Sequence, residues 1–130
     1  MHCLPDVTLN TDSPFWVSRE VFFKYFDQVD FFRREFTNVV PSYLAAWFHT
    51  REDGNIRFIL PTVMFVDDKT QFISGRHRTA VLLPHLKDIP IAFSLFNRPP
   101  QDFLNQLALR SLALHEYIEL PDLPIMENLP

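Results

Sequence analysis

Beyond Ser18 the apolar positions recur at helical spacing: Phe22, Phe26, Val29, Phe32 and Phe36 fall on one stripe, with Lys24, Asp27, Gln28, Arg34 and Glu35 mostly off it. Ser18 suits an N-cap, because its side-chain oxygen can accept a hydrogen bond from an amide of the first turn. The spacing therefore predicts one long amphipathic helix over 18–36, with the Phe stripe packed into a core. Phe23 and Phe31 fall off the stripe and mark a second contact surface. Residues 1–12 show no period and read as an extended lead-in. Val39 and Val40 should be extended, since proline at position 41 disfavours helical backbone before it, and 42–48 then reads as a short helix.

From 56 to 66 the chain is apolar and β-branched, broken at Pro61, the pattern of a strand bent or interrupted there. The polar run from Asp67 to Thr70 turns the chain back into Gln71-Phe72-Ile73, which predicts a β-hairpin. Residues 51–55, which include Gly54, read as an exposed turn. After Gly75 the segment 76–83 is helical in character until Pro84. A buried strand over 89–96 follows. Pro99-Pro100 then opens a helix whose stripe of Phe103, Leu104, Leu107, Leu114 and Ile118 runs to about Glu119. Residues 120–130 are too rich in proline for regular structure and form an extended tail, packed on the body or held out for a partner. The expected fold class is α/β (α+β), a small mixed sheet with flanking helices forming one domain over 13–119.

A length of 130 residues allows one such domain. Fourteen Phe, eleven Pro and two Gly mean a core built on aromatic rings, and they make each glycine a marked position. The Phe content also exceeds the usual needs of one small core, which makes a second copy of the chain a candidate partner. The net charge of −4 gives no global attraction to nucleic acid or an anionic membrane, so a polyanion would have to be met by a local basic cluster. Cys3 stands alone and cannot form an internal disulfide. The chain also lacks an apolar run long enough to span a bilayer, and Asp6 and Asp12 occupy the place of a basic-then-apolar leader, so the expected setting is the cytoplasm.

One constellation carries chemistry. In Gln71-Phe72-Ile73-Ser74-Gly75-Arg76-His77-Arg78-Thr79 a glycine ends a strand and a helix opens with two arginines and a histidine. Cations there oppose the helix dipole unless an anion neutralises them, which points to an oxyanion site. The alternative pairs the arginines with Asp67, Asp68 or another carboxylate. Asp67 and Asp68 are also candidate ligands for Mg²⁺ beside a nucleotide. Elsewhere, His49, His85 and His115 lack a partner at i, i+4 that would suggest a metal site. Arg33-Arg34 lie among acids on a mixed face, and Trp16 and Trp47 read as packing anchors.

Over 61–96, the order hairpin, Ser-Gly-Arg-His-Arg, helix and Ile-Pro-Ile-Ala-Phe strand resembles the core of the ParB/sulfiredoxin-like superfamily, whose members carry Gly-x-His-Arg or Asp-Gly-His-His-Arg at this turn. The resemblance implies that Gly75, His77 and Arg78, within the set Ser74 to Thr79 that includes Arg76, hold the phosphates of a nucleotide, ATP or CTP with Mg²⁺. Ser74 and Thr79 would add hydroxyl donors. Sulfiredoxins place their catalytic cysteine where this chain has Arg76, so sulfinic-acid repair is not expected. Partition proteins carry a helix-turn-helix domain beyond this core, whereas little more than one helix and a tail follow Phe96, so DNA binding by this chain alone is not expected. Kinase-like members have an acid where this chain has Ser74 and draw a carboxylate from the N-terminal part; Glu20 and Glu35 match by type alone. The run Gly75 to Thr79 also resembles the Gly-x-x-Arg-Thr half of the tyrosine phosphatase loop, but that loop's cysteine and histidine would fall at Phe72 and Gln71, which leaves an inactive phosphate binder. The expected function is nucleotide or phosphate binding at the Gly75 turn, as an enzyme or switch. Its alternative is a non-catalytic module that binds a protein partner through the Phe-rich surface or the tail.

Overall fold

The computed structural model describes residues 1–31, 41–95, 99–107 and 109–127. In chain order, β1 (His2–Asp6) and β2 (Ser13–Ser18) lead into α1 (Arg19–Tyr25) and α2 (Gln28–Phe31). Next come β3 (Tyr43–Leu44), a 3-10 turn (Ala45–Trp47), β4 (Phe48–Thr50), β5 (Ile56–Ile59), β6 (Thr62–Val66) and β7 (Lys69–Ser74). Then follow α3 (Arg76–Leu82), β8 (Asp88–Phe93), α4 (Gln101–Leu107), β9 (Arg110–Ser111), β10 (Ile118–Glu119) and β11 (Ile125–Met126). The class is mixed α+β, as the sequence predicts.

Five strands form one sheet in the order β7-β6-β8-β2-β9, with β6 parallel to β8 and the other pairs antiparallel. A second sheet has the order β10-β1-β5-β4, with β1 parallel to β5. The chain passes from the second sheet to the first at Pro61, which cannot donate to a ladder and so ends β5's run. The Pro61 carbonyl accepts from Ala92 N at 2.9 Å, fixing that crossing to the middle of the larger sheet. β6 and β7 make the predicted hairpin, and Asp67 and Asp68, at φ of 51° and 61°, form the tight left-handed turn that matches strand twist. The core gathers Val17, Phe22, Phe58, Val63, Leu82, Ile89, Ile91 and Phe93, all fully buried. No described helix is long and apolar enough to cross a membrane.

Several expectations are corrected. The lead-in contains an interior strand: β1 pairs on one side with β5 and on the other with β10. Ser18 does cap a helix, accepting from Val21 N at 3.1 Å, but the helix ends at Tyr25 and Phe26 is extended. A break there moves the stripe: Phe31 is buried and Val29 is exposed, the reverse of their predicted places. Phe32, Arg33, Arg34, Glu35, Phe36, Val39, Val40 and Phe96 lie outside the described residues. The short helix expected over 42–48 is two strands flanking a single 3-10 turn. The C-terminal helix stops at Leu107, and His115 stands in a turn. The tail takes the packed one of its two expected places, with Tyr43 N donating to Pro124 O at 2.8 Å and Tyr43 OH to Pro121 O, but it is not without regular structure, since β11 runs parallel to β3.

A polar knot fixes the rim of the second sheet. Asp6, 2% exposed, accepts from Val7 N at 2.9 Å, His49 Nε2 at 2.7 Å and Arg51 Nη2 at 2.7 Å. Burial opposes its charge, but the Val7 amide, Arg51 and His49 outweigh burial and hold the carboxyl below its ordinary range. A depressed folded-state pKa contributes stability above the unfolded carboxyl value near 3.9, and the contribution is lost as pH falls through the folded value. Asp6→Asn is therefore expected to destabilise the protein at pH 7 and to flatten the decline of its stability below about pH 4. Urea unfolding at a series of pH values checks this, and an acid limb identical to wild type would remove Asp6 from the account.

Candidate functional site

The strand-turn-helix forms as the sequence suggests. β7 ends at Ser74, Gly75 takes φ +95°, and α3 begins at Arg76. Two constraints require glycine: the left-handed backbone, and a Cβ that would stand 2.6 Å from both Cα and Cβ of Pro61. The turn is thus wedged against the seam where the chain changes sheets. Ser74, Gly75, Arg76, His77 and Arg78, together with Trp47 and Ile73, line an open cleft of about 300 Å³.

The basic residues fare differently within this turn. Arg76 donates through Nη2 to Asp30 Oδ1 at 2.7 Å and to Phe72 O at 3.0 Å, and through Nε to Asp30 O at 3.1 Å. Asp30 Oδ2 in turn accepts from Phe72 N at 2.7 Å, so one acid closes the outer edge of β7 and neutralises Arg76. The carboxylate-pairing alternative therefore holds for Arg76, and the partner is Asp30 on α2. His77 is half-buried with its ring edge-on to Trp47, centroids 5.2 Å apart, and burial lowers its pKa below the ordinary histidine value. Arg78 is 9% exposed. Its Nη1 donates to Ile59 O at 2.8 Å, and its Nε has no partner. Among the described residues no carboxylate pairs with it. Burial lowers its pKa to about 10, which leaves it charged at neutral pH.

Thr79 is fully buried and its hydroxyl donates to Gly75 O at 2.9 Å, so it braces the turn instead of facing the cleft. Asp67 and Asp68 sit at the far end of β7, about 20 Å from the turn at the usual rise of a strand, and cannot share an ion with a ligand held there. Glu20 is exposed in the first turn of α1. Among the described residues no group of three His, Cys, Asp or Glu side chains is placed to hold a metal. Cys3 is buried in β1 and burial raises its thiol to about 11, far from nucleophilic poise. Sequence reasoning missed Asp30, whose partners lie more than forty positions away and leave no local signal. It placed Trp47 as an anchor, which it is, without its second part as the wall behind His77. No family model, curated protein or solved structure matches the chain.

Proposed function

We propose that the chain is a ParB/sulfiredoxin-like phosphate binder, which takes the phosphate of a nucleotide or another phosphorylated ligand in the Gly75 cleft. The observation that carries this reading is Arg78: a buried guanidinium with an unpartnered Nε, no countercharge among the described residues, and a place in the wall of an open cleft. A buried cation without a countercharge is costly, and an anion in the cleft relieves that cost. Ser74 and the half-buried His77 supply further donors around the same space. With Arg76 at the position where sulfiredoxins carry their cysteine, sulfinic-acid repair is not part of this reading.

Thermal-shift titration with inorganic phosphate, ATP and CTP, each with and without Mg²⁺, tests the reading. A ligand at a hundred times its Kd stabilises the fold by about 2.7 kcal/mol, a shift of several degrees for a domain of this size. Arg78→Ala should weaken that binding by roughly ten- to a hundredfold, the value of a charge-assisted hydrogen bond. Because Arg78 also bonds Ile59 O, Arg78→Lys, which keeps the charge, separates loss of the ligand from loss of the fold. No shift with any anion sinks the proposal. The interaction-module reading has one observation in its favour, the exposed Phe23 and Val29 beside a groove of about 350 Å³ on α1 and α2.

A further inference from the structure

We propose that the Gly75 cleft is a single-phosphoryl site: it seats one terminal phosphate, as inorganic phosphate or a phosphomonoester, and does not seat a di- or triphosphate chain. The inference rests on the phosphate-binding reading above and comes from an inventory of charge. Of the three basic residues at the turn, Arg76 is neutralised by Asp30 at 2.7 Å and is tied as well to Phe72 O. Arg78 is the uncompensated charge among the described residues lining the cleft. His77 is pushed by burial toward its neutral form and serves there as a hydrogen-bond donor. One fixed positive charge suits a group carrying about one and a half to two negative charges, which a phosphomonoester has near pH 7.

A triphosphate carries more charge and ordinarily needs Mg²⁺ to bridge its β- and γ-oxygens. The acids suited by type to that task, Asp67 and Asp68, stand at the far end of β7, and no described cluster of ligating residues replaces them. Space points the same way. At about 300 Å³ the cleft lies at the bottom of the range for small-molecule sites, and the apolar Trp47 and Ile73 take up part of its lining.

Isothermal titration of the full chain at pH 7.5 with inorganic phosphate, AMP, ADP and ATP, each with and without Mg²⁺, decides the matter. Phosphate and AMP should bind, ADP and ATP should bind no more than about threefold tighter than AMP, and Mg²⁺ should add nothing. Arg78→Lys should weaken phosphate and AMP tenfold or more, and His77→Asn should weaken them less, with circular dichroism confirming that both variants fold. Binding of ATP ten times or more tighter than AMP, or a gain on adding Mg²⁺, overturns the single-phosphoryl inference and leaves the phosphate-binding reading standing. Failure of all four to bind the wild type overturns both.

Discussion

Gly75→Ala is expected to lower the free energy of unfolding by about 3 kcal/mol or more, a large fraction of the stability of a domain this size. Two costs add at this position. The left-handed backbone at φ +95° is strained for any residue with a Cβ. The new methyl also meets Cα and Cβ of Pro61 at 2.6 Å, and these belong to a rigid ring whose carbonyl is held by Ala92 N. Nothing flexible can give way, so relief requires the two sheets to separate at their seam. Gly54 is the internal control, with a positive φ of 77° and nothing within 4 Å of its absent Cβ. Gly54→Ala should cost about 1 kcal/mol, the backbone strain alone. Thermal melts of the two variants measure the difference, which should exceed about 5 °C; equal melting temperatures would mean that the Pro61 contact relaxes freely.

The second large effect is expected at Phe22. Its ring is fully buried and meets Phe23, Phe26, Phe31 and Phe72 at centroid distances of 5.2, 4.9, 4.9 and 6.2 Å. It thereby joins α1, α2 and β7, and Phe22→Ala should cost about 3–5 kcal/mol through lost burial and an unfilled cavity. The damage should also travel. Phe31 follows Asp30 in α2, and Phe72 lies under the guanidinium of Arg76 at 5.9 Å, so loosening these rings loosens the Asp30–Arg76 bridge beside the cleft. Phe23→Ala, at a half-exposed ring on the same helix, should change stability by about 0.5 kcal/mol or less. Urea unfolding of the pair checks both values, and similar losses at Phe22 and Phe23 would contradict the packing described.

The segment from Ile56 to Phe93 was legible in the sequence because its signals are local. Pro61 interrupts a strand, Asp67-Asp68 makes a two-residue turn, and Gly75 permits the left-handed cap before α3. The ends of the chain were not legible for the opposite reason. β1, β9, β10 and β11 are short strands specified by partners far away, and the leucines after Leu107 reach the core from irregular backbone at a spacing that mimics a helix. The break at Phe26 is tertiary as well, since Asp27 N donates to Thr70 O at 2.8 Å and turns the chain along the β7 edge. At the site, the strand, glycine and helix signals showed which basic residues meet at the turn but not which one is left without a countercharge. That distinction depends on Asp30, which only the folded chain brings to Arg76.

The position of β1 bears on how the protein is made. His2 pairs with Glu119, so β1 must wait for a strand made more than a hundred residues later before its ladder closes. At ordinary elongation rates that delay is on the order of ten seconds. During it Cys3 and Leu4, both buried in the finished fold, are exposed to solvent and to other nascent chains. Such long-range closure predicts slow folding relative to helical domains of similar length, and it makes emergence of β10, rather than of the Gly75 turn, the step at which the second sheet closes.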